Sequence, residues 1–273
     1  MLIKAGSGLA NMSEASSKGV PNQTVANTIV CELGNIEDVA LKLEEYKDDV
    51  AAIFIEPLPA NNGLLIQSKE FLQSLRNLAN KYDCLLVFDE VISGFRVAFG
   101  GMAELTNIEP DLVTYGKIIG GGMPVGAVAG KKNIMSMLAP LGPIYQAGTL
   151  SANPMAMDAG LATLSELTPT FYKQVEENTQ NIVAIFQEWL SKQDAFSHCH
   201  VKSFSSLFWI SPTKNEIKSI DEIPSNLENT FFDLFKIFLD KGIYLAPNAY
   251  EVGFVSSAHD LSIQKDLKSK LWD

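Results

Sequence analysis

Short, nearly continuous apolar runs recur along the first part of the chain, each stopped by a polar residue and separated from the next by other structure. Val50 to Ile55 ends at Glu56-Pro57, and Cys84 to Phe88 ends at Asp89-Glu90. Asp111 to Tyr115 and Val125 to Ala129 are further runs of this kind. A strand that is apolar at successive positions needs cover on both faces, as a strand does inside a parallel α/β layer. Helical patterns alternate with these runs. Asn35 can cap a helix from Ile36 to about Asp48, with Val39, Leu43 and Tyr46 at helical spacing, and Ser68 starts another with Phe71, Leu72, Leu75 and Leu78 on one face. This alternation predicts an α/β fold with a mostly parallel sheet. Ligands of such sheets bind at the carboxyl ends of the strands. Glu56, Asp89 and Lys117 all fall at or just past such ends.

From Asn153 the pattern changes. Met155, Met157, Leu161 and Leu164 read as a helix leaving the sheet region, and Thr170 to about Lys192 as a long amphipathic one. Cys199 to Ser211 alternates like strands, Leu227 to Lys241 is helical and stops at Gly242, and Leu261 to Leu271 forms a last helix. Ile243 to Leu245 and Gly253 to Val255 read as short strands. The expectation is a partial large domain over residues 1–154 and a small α+β domain over residues 155–273. Met1 to Gly19 has no strong period and reads as loop.

Composition narrows the function. The net charge of −11 opposes a polyphosphate partner, and no basic stripe with interleaved aromatics points to nucleic acid. No apolar run approaches the length of a membrane span, and Met1-Leu2-Ile3-Lys4 lacks the layout of a secretory signal. Cys31, Cys84 and Cys199 are widely spaced and form no CxxC pair, so neither a disulfide framework nor a metal site is expected and a reducing, cytoplasmic location is. His198 and His200 are spaced for one face of a strand.

Several residues could carry chemistry. Lys117, between Tyr115-Gly116 and Ile118-Ile119, is either a surface lysine at a strand end or a desolvated amine with nucleophilic character. The glycines at 120, 121 and 122 are costly in chain entropy and imply close backbone approach or unusual φ/ψ. They match neither a dinucleotide fingerprint nor a P-loop. Asp89 ends an apolar strand and needs a donor or a cation, which either a pyridinium N–H or Arg96 could supply. Glu90 points to the opposite face if the strand continues, so the two acids cannot serve one ligand. Gly148 to Pro154 offers hydroxyls and amides before a helix, as an anion site or as capping by Ser151 or Asn153. Glu251 would ordinarily be a solvated loop acid. A lysine amine, a strand-end carboxylate and a glycine cluster are the equipment of pyridoxal phosphate chemistry.

Together these segments resemble the class III aminotransferase family of fold-type I pyridoxal-phosphate enzymes. The likeness is carried by Val87 to Arg96, Pro110 to Ala127, Tyr145 to Pro154 and Leu245 to Phe254, in that order. It implies that Lys117 bonds the cofactor and shuttles protons. It implies that Asp89 partners the pyridine nitrogen, Val91 packs on the ring face and Asn61 lies near the ring hydroxyl. Thr149 would reach the phosphate of a neighbouring subunit's cofactor, so a homodimer is implied. Glu251 matches the acid of the branch that moves an amine within one substrate, a small amino aldehyde. Gln146-Ala147-Gly148-Thr149-Leu150-Ser151 and the Tyr-Gly before Lys117 also fit that branch. The cofactor would be pyridoxal 5'-phosphate, cycling with pyridoxamine 5'-phosphate. Two other readings stand beside this one: a family member that uses an external amino donor, and a non-catalytic fragment. Family members carry a further stretch ahead of this one, with a Ser-Gly-Thr phosphate cradle, an aromatic stacked on the ring and much of the substrate carboxylate pocket. The resemblance therefore implies that these residues are the carboxyl-terminal portion, a truncated large domain with the small domain.

Overall fold

The structure, a computed structural model, describes residues 19–273, so the loop expected before Gly19 lies outside the described residues. In chain order the elements are α1 (Asn22–Val25), α2 (Ile36–Glu45), β1 (Ala52–Ile55), α3 (Lys69–Lys81), β2 (Leu85–Glu90), α4 (Gly101–Thr106), β3 (Leu112–Tyr115) and β4 (Ala127–Gly130). They continue with α5 (Lys132–Met135), α6 (Pro154–Ser165), α7 (Pro169–Ser191), β5 (His200–Phe204), β6 (Leu207–Ser211), α8 (Leu227–Asp240), β7 (Gly253–Phe254) and α9 (Leu261–Trp272). The chain forms two compact units. The sheet unit holds Tyr46–Leu58 and Gln67–Gln174, and the second holds the described residues up to Glu45, Pro59–Ile66 and Val175–Asp273. This departs from a single cut at residue 154. Helix α6 stays with the sheet unit because it packs on the turn at Lys117–Gly120, and the segments at Glu45 and Pro59–Ile66 belong with the carboxyl-terminal residues.

In the sheet unit the strand order is β1-β2-β3-β4. β1 and β2 run parallel, as do β2 and β3, while β4 returns antiparallel to β3, with Tyr115 opposite Ala127. The connection from β3 to β4 is too short to cover a helical crossover, so the last expected strand can only return antiparallel. Ser68 caps α3 as the sequence predicts, its hydroxyl accepting from the Phe71 amide at 3.1 Å. That helix buries Leu72, Leu75 and Ala79 and packs against β1 and β2 of the sheet. Asp111, just ahead of β3, ties the layers together. Its carboxylate accepts from Arg76 of α3 at 2.6 Å, from the Leu86 amide at 2.8 Å and from Lys131 at 2.6 Å. These donors hold the Asp111 carboxyl at about 2, against the opposing effect of its burial.

The second unit has an antiparallel sheet in the order β5-β6-β7. α7, α8 and α9 supply Ile182, Phe186, Leu190, Leu234, Phe238 and Leu271 to one core with Val201, Phe208 and Ile210 of the strands. Fully burying one such side chain stabilises by about 1.5–3 kcal/mol. Gly242 follows α8 at φ +70°, a conformation that suits a glycine after a helix end. Three expectations fail. Ile243 to Leu245 forms no strand, because the segment finds no ladder partner among the described residues, and of the two short runs Gly253–Phe254 alone joins the sheet, on β6. His198 lies in the turn before β5, so it shares no strand face with His200. Tyr46, expected on the apolar face of α2, falls past the helix end and is exposed.

Candidate active site

β2 ends in two acids with different work. Asp89 pairs in register with Thr114 of β3. Its Oδ1 accepts from the Val91 amide at 3.1 Å and from the Thr114 hydroxyl at 3.2 Å. Both donors act on one oxygen, which fixes the carboxylate and leaves Oδ2 without a donor among the described residues. Arg96, the alternative partner, lies instead near Tyr172, and burial lowers its basicity to about 10. Glu90 turns the other way, as strand alternation requires, and is 0% exposed. Its carboxylate accepts from the amides of Met102 and Ala103 and from the Ser93 hydroxyl at 2.7, 3.0 and 2.9 Å. Burial still pushes its carboxyl up. Glu90 therefore pins α4 and the Ser93 turn to the strand, and Asp89 faces the other side of the sheet.

Lys117 opens a 3₁₀ turn, Lys117–Gly120, just past β3. It sits three residues beyond the threonine that steadies Asp89. Its φ is +49°, a left-handed conformation that costs a lysine about 1–2 kcal/mol. Strain of this kind collects at functional positions. The side chain is exposed, because the turn carries it out past the strand end. Gly116 explains the approach of Val91: a Cβ there would lie 3.2 Å from Val91 Cγ1. Asp89, Val91 and Lys117 thus all lie at or just past the carboxyl ends of the neighbouring strands β2 and β3.

The glycine cluster does what its entropy cost implied. Gly121 and Gly122 have φ of +56° and +93°. A Cβ on Gly121 would run into the Ala159 carbonyl and the Thr163 hydroxyl, and one on Gly160 into the Ile119 carbonyl. The lysine turn therefore lies backbone against backbone on α6. Ahead of α6, Asn153 takes the capping role, its side chain accepting from the Met155 amide at 2.9 Å, with Pro154 in the first turn. Thr149 is exposed in the loop before that cap.

Asn61 and Glu251 belong to the second unit, whose own packing brings their loops together. The Gly63 amide donates to the Tyr250 carbonyl at 2.7 Å, and the Glu251 amide to the Asn248 carbonyl at 3.2 Å. Sequence reasoning missed Thr114, Gly116 and the link between these two loops. Thr114 left one trace, a hydroxyl in an otherwise apolar strand, but its partner is set by strand register. Among the described residues no group of three or more His, Cys, Asp or Glu could hold a metal ion, and no helix is long and apolar enough to cross a membrane.

The sequence model of the family described as "Aminotransferase class-III" matches residues 9–272. Glutamate-1-semialdehyde 2,1-aminomutase of Bdellovibrio bacteriovorus is 51% identical over 261 residues, which cover 95% of this chain and 61% of that protein. The enzyme of the same name from Leptospira interrogans is 50% identical, over 95% of this chain and 59% of its own length. The chain thus spans about six tenths of the length of these curated relatives. Among solved structures, an omega-transaminase from Sphaerobacter thermophilus superposes with a TM-score of 0.84 at 29% identity, over 94% of this chain and 60% of that one. A glutamate-1-semialdehyde aminomutase from Pseudomonas aeruginosa gives 0.77 at 22% identity, over 93% and 57%, and shares the fold. The architecture is that of the fold-type I aminotransferases. With the family model running through both units, the chain belongs to the class III aminotransferase family.

Proposed function

We propose that this chain carries the lysine-bearing part of a pyridoxal-phosphate-dependent aminomutase, which moves an amine within glutamate-1-semialdehyde to give 5-aminolevulinate for tetrapyrrole synthesis. The observation that carries this reading is the Asp89 carboxylate, held through Oδ1 by Val91 and Thr114 with Oδ2 left for a ligand, beside the strained Lys117 turn. The donor set fits the cofactor: one oriented carboxylate oxygen for a ring N–H, an exposed amine for an aldehyde, and an apolar Val91 against a cleared Gly116 for a ring face. When bound, pyridoxal phosphate supplies an aldehyde that an amine can capture and a ring that draws electron density from the substrate carbon.

The chain's own residues do the rest. Asp89 would keep the ring nitrogen protonated, and the Thr114 hydroxyl and Val91 amide keep Asp89 aimed. Lys117 Nζ would take a proton from one substrate carbon and return it to the other. Glu251 would bear on the migrating amine, and Asn61 on the ring hydroxyl. The relatives at 51% and 50% identity support the aminomutase branch. The omega-transaminase likeness keeps a second reading, transfer from an external amino donor. Thr149, in a loop beside exposed Tyr145 and Leu150, is suited to a second copy of the chain, and the unpaired cysteines favour a cytoplasmic setting.

Turnover of glutamate-1-semialdehyde with no added amino donor tests the reaction. Product formation that depends on an added amino acid would favour the second reading. Lys117→Ala should abolish both turnover and the visible absorbance of lysine-bound cofactor; retention of either would remove Lys117 from its role. Sedimentation of the loaded protein as a monomer would remove Thr149 from its own.

A further inference from the structure

Trp209 is a buried aromatic that the helix-side core does not account for. β6 is buried at every position. Phe208 and Ile210 join the helix-side core, so strand alternation turns Trp209 to the opposite face. There it is 1% exposed, and its Nε1–H donates to the Ala249 carbonyl at 2.9 Å. The same indole supports a second segment. A Cβ on Gly63, whose φ is +79°, would come to 2.8 Å from Trp209 Cζ2, so the Asn61–Gly63 loop lies directly on the ring. The two segments are joined in turn by the Gly63 amide, which donates to the Tyr250 carbonyl at 2.7 Å. One side chain thus touches Gly63, two residues from Asn61, and Ala249, two residues from Glu251.

We propose that Trp209 is a positioning residue for amine transfer: its N–H anchors the Glu251 loop and its ring sets the height of the Asn61 loop, so that both are presented in one register. The proposal rests on the roles given above to Asn61 and Glu251. An indole suits the task because it is a rigid plate with one donor at its edge. A phenylalanine would keep the plate and lose the donor. A leucine would lose both.

Trp209→Phe is the informative variant. In this chain, amide hydrogen exchange should speed at least tenfold at Gly63 and Glu251, while the ladder amides of β5 and β6 keep their rates. Unchanged loop amides, or equal acceleration along the β5–β6 ladder, would overturn the proposal, the second because it marks general loosening of the unit. In turnover of glutamate-1-semialdehyde, Trp209→Phe should lower kcat about tenfold and leave KM within about twofold. Combined with Glu251→Gln it should add little to the loss from Glu251→Gln alone, because both act through one carboxylate. Fully additive losses would overturn the proposal. If Glu251→Gln by itself keeps full kcat, the role of Glu251 is wrong and the proposal falls with it. That outcome is distinct from a damaging Glu251→Gln beside a silent Trp209→Phe, which sinks the proposal alone.

Discussion

Replacing Asp111 by asparagine should cost this chain about 3 kcal/mol of stability, most of it through Arg76. The side chains of Asp111 and Arg76 are only 8% and 13% exposed, and their 2.6 Å contact joins α3 to the start of β3. Asparagine keeps an oxygen for the Leu86 amide but removes the charge, and so leaves a guanidinium largely out of water with no ionic partner. Losing one member of a buried pair costs about 3–5 kcal/mol, and the slight exposure of Arg76 places this case at the lower end. Lys131, at 44% side-chain exposure, should add less than about 1 kcal/mol, because solvent screens it. A pH profile gives an independent measure. The Asp111 carboxyl stands at about 2 in the fold against an ordinary 3.8, so folding favours the ionised form. Its contribution, about 2 kcal/mol, is complete above the ordinary value and is lost as pH falls from near 4 through about 2. Urea unfolding at neutral pH should show a lower midpoint with an unchanged slope, and the gap between wild type and Asp111→Asn should shrink as pH falls through that window. A difference below about 1 kcal/mol at pH 7, or one that does not respond to acid, would refute the reasoning.

Three further outcomes can be checked directly. Gly121→Ala should destabilise by about 1–3 kcal/mol in thermal or urea unfolding, because the methyl meets the Ala159 carbonyl and the backbone is left-handed. Thr114→Val should weaken pyridoxal phosphate binding about tenfold in an absorbance titration, since Asp89 keeps only one of its two fixed donors; unchanged affinity would separate Thr114 from the site. In alkylation at pH 8, Cys31 should react well before Cys199, whose thiol is buried and pushed up to about 11, and Cys199 should label only on unfolding.

Much of the fold could be read from local pattern. The apolar runs became β1, β2 and β3, and Ser68 and Gly242 marked helix ends by chemistry that depends on near neighbours alone. Asp89 and Glu90 were rightly sent to opposite faces, since strand alternation is a two-residue rule. What could not be read depends on distant partners. The direction of β4, the Thr114 hydroxyl on Asp89 and the Arg76–Asp111–Lys131 cluster all follow from strand register and helix placement. Ile243 to Leu245 looks like strand locally and is not, because pairing decides a strand and composition only permits it. The unit boundary was hidden for the same reason, since Pro59–Ile66 leaves its sequence neighbours for a partner at Tyr250.

The seat of the Lys117 turn on α6 has a mechanical consequence. With Gly121 lying on the Ala159 carbonyl and Gly160 on the Ile119 carbonyl, the amine's support and the helix touch through main chain, which yields little to a shift. A tilt or slide of α6 is handed straight to the lysine, as a lever hands on motion at its fulcrum. Contacts on the outer side of that helix, at Leu161 or Met157, are therefore able to steer an amine they never meet.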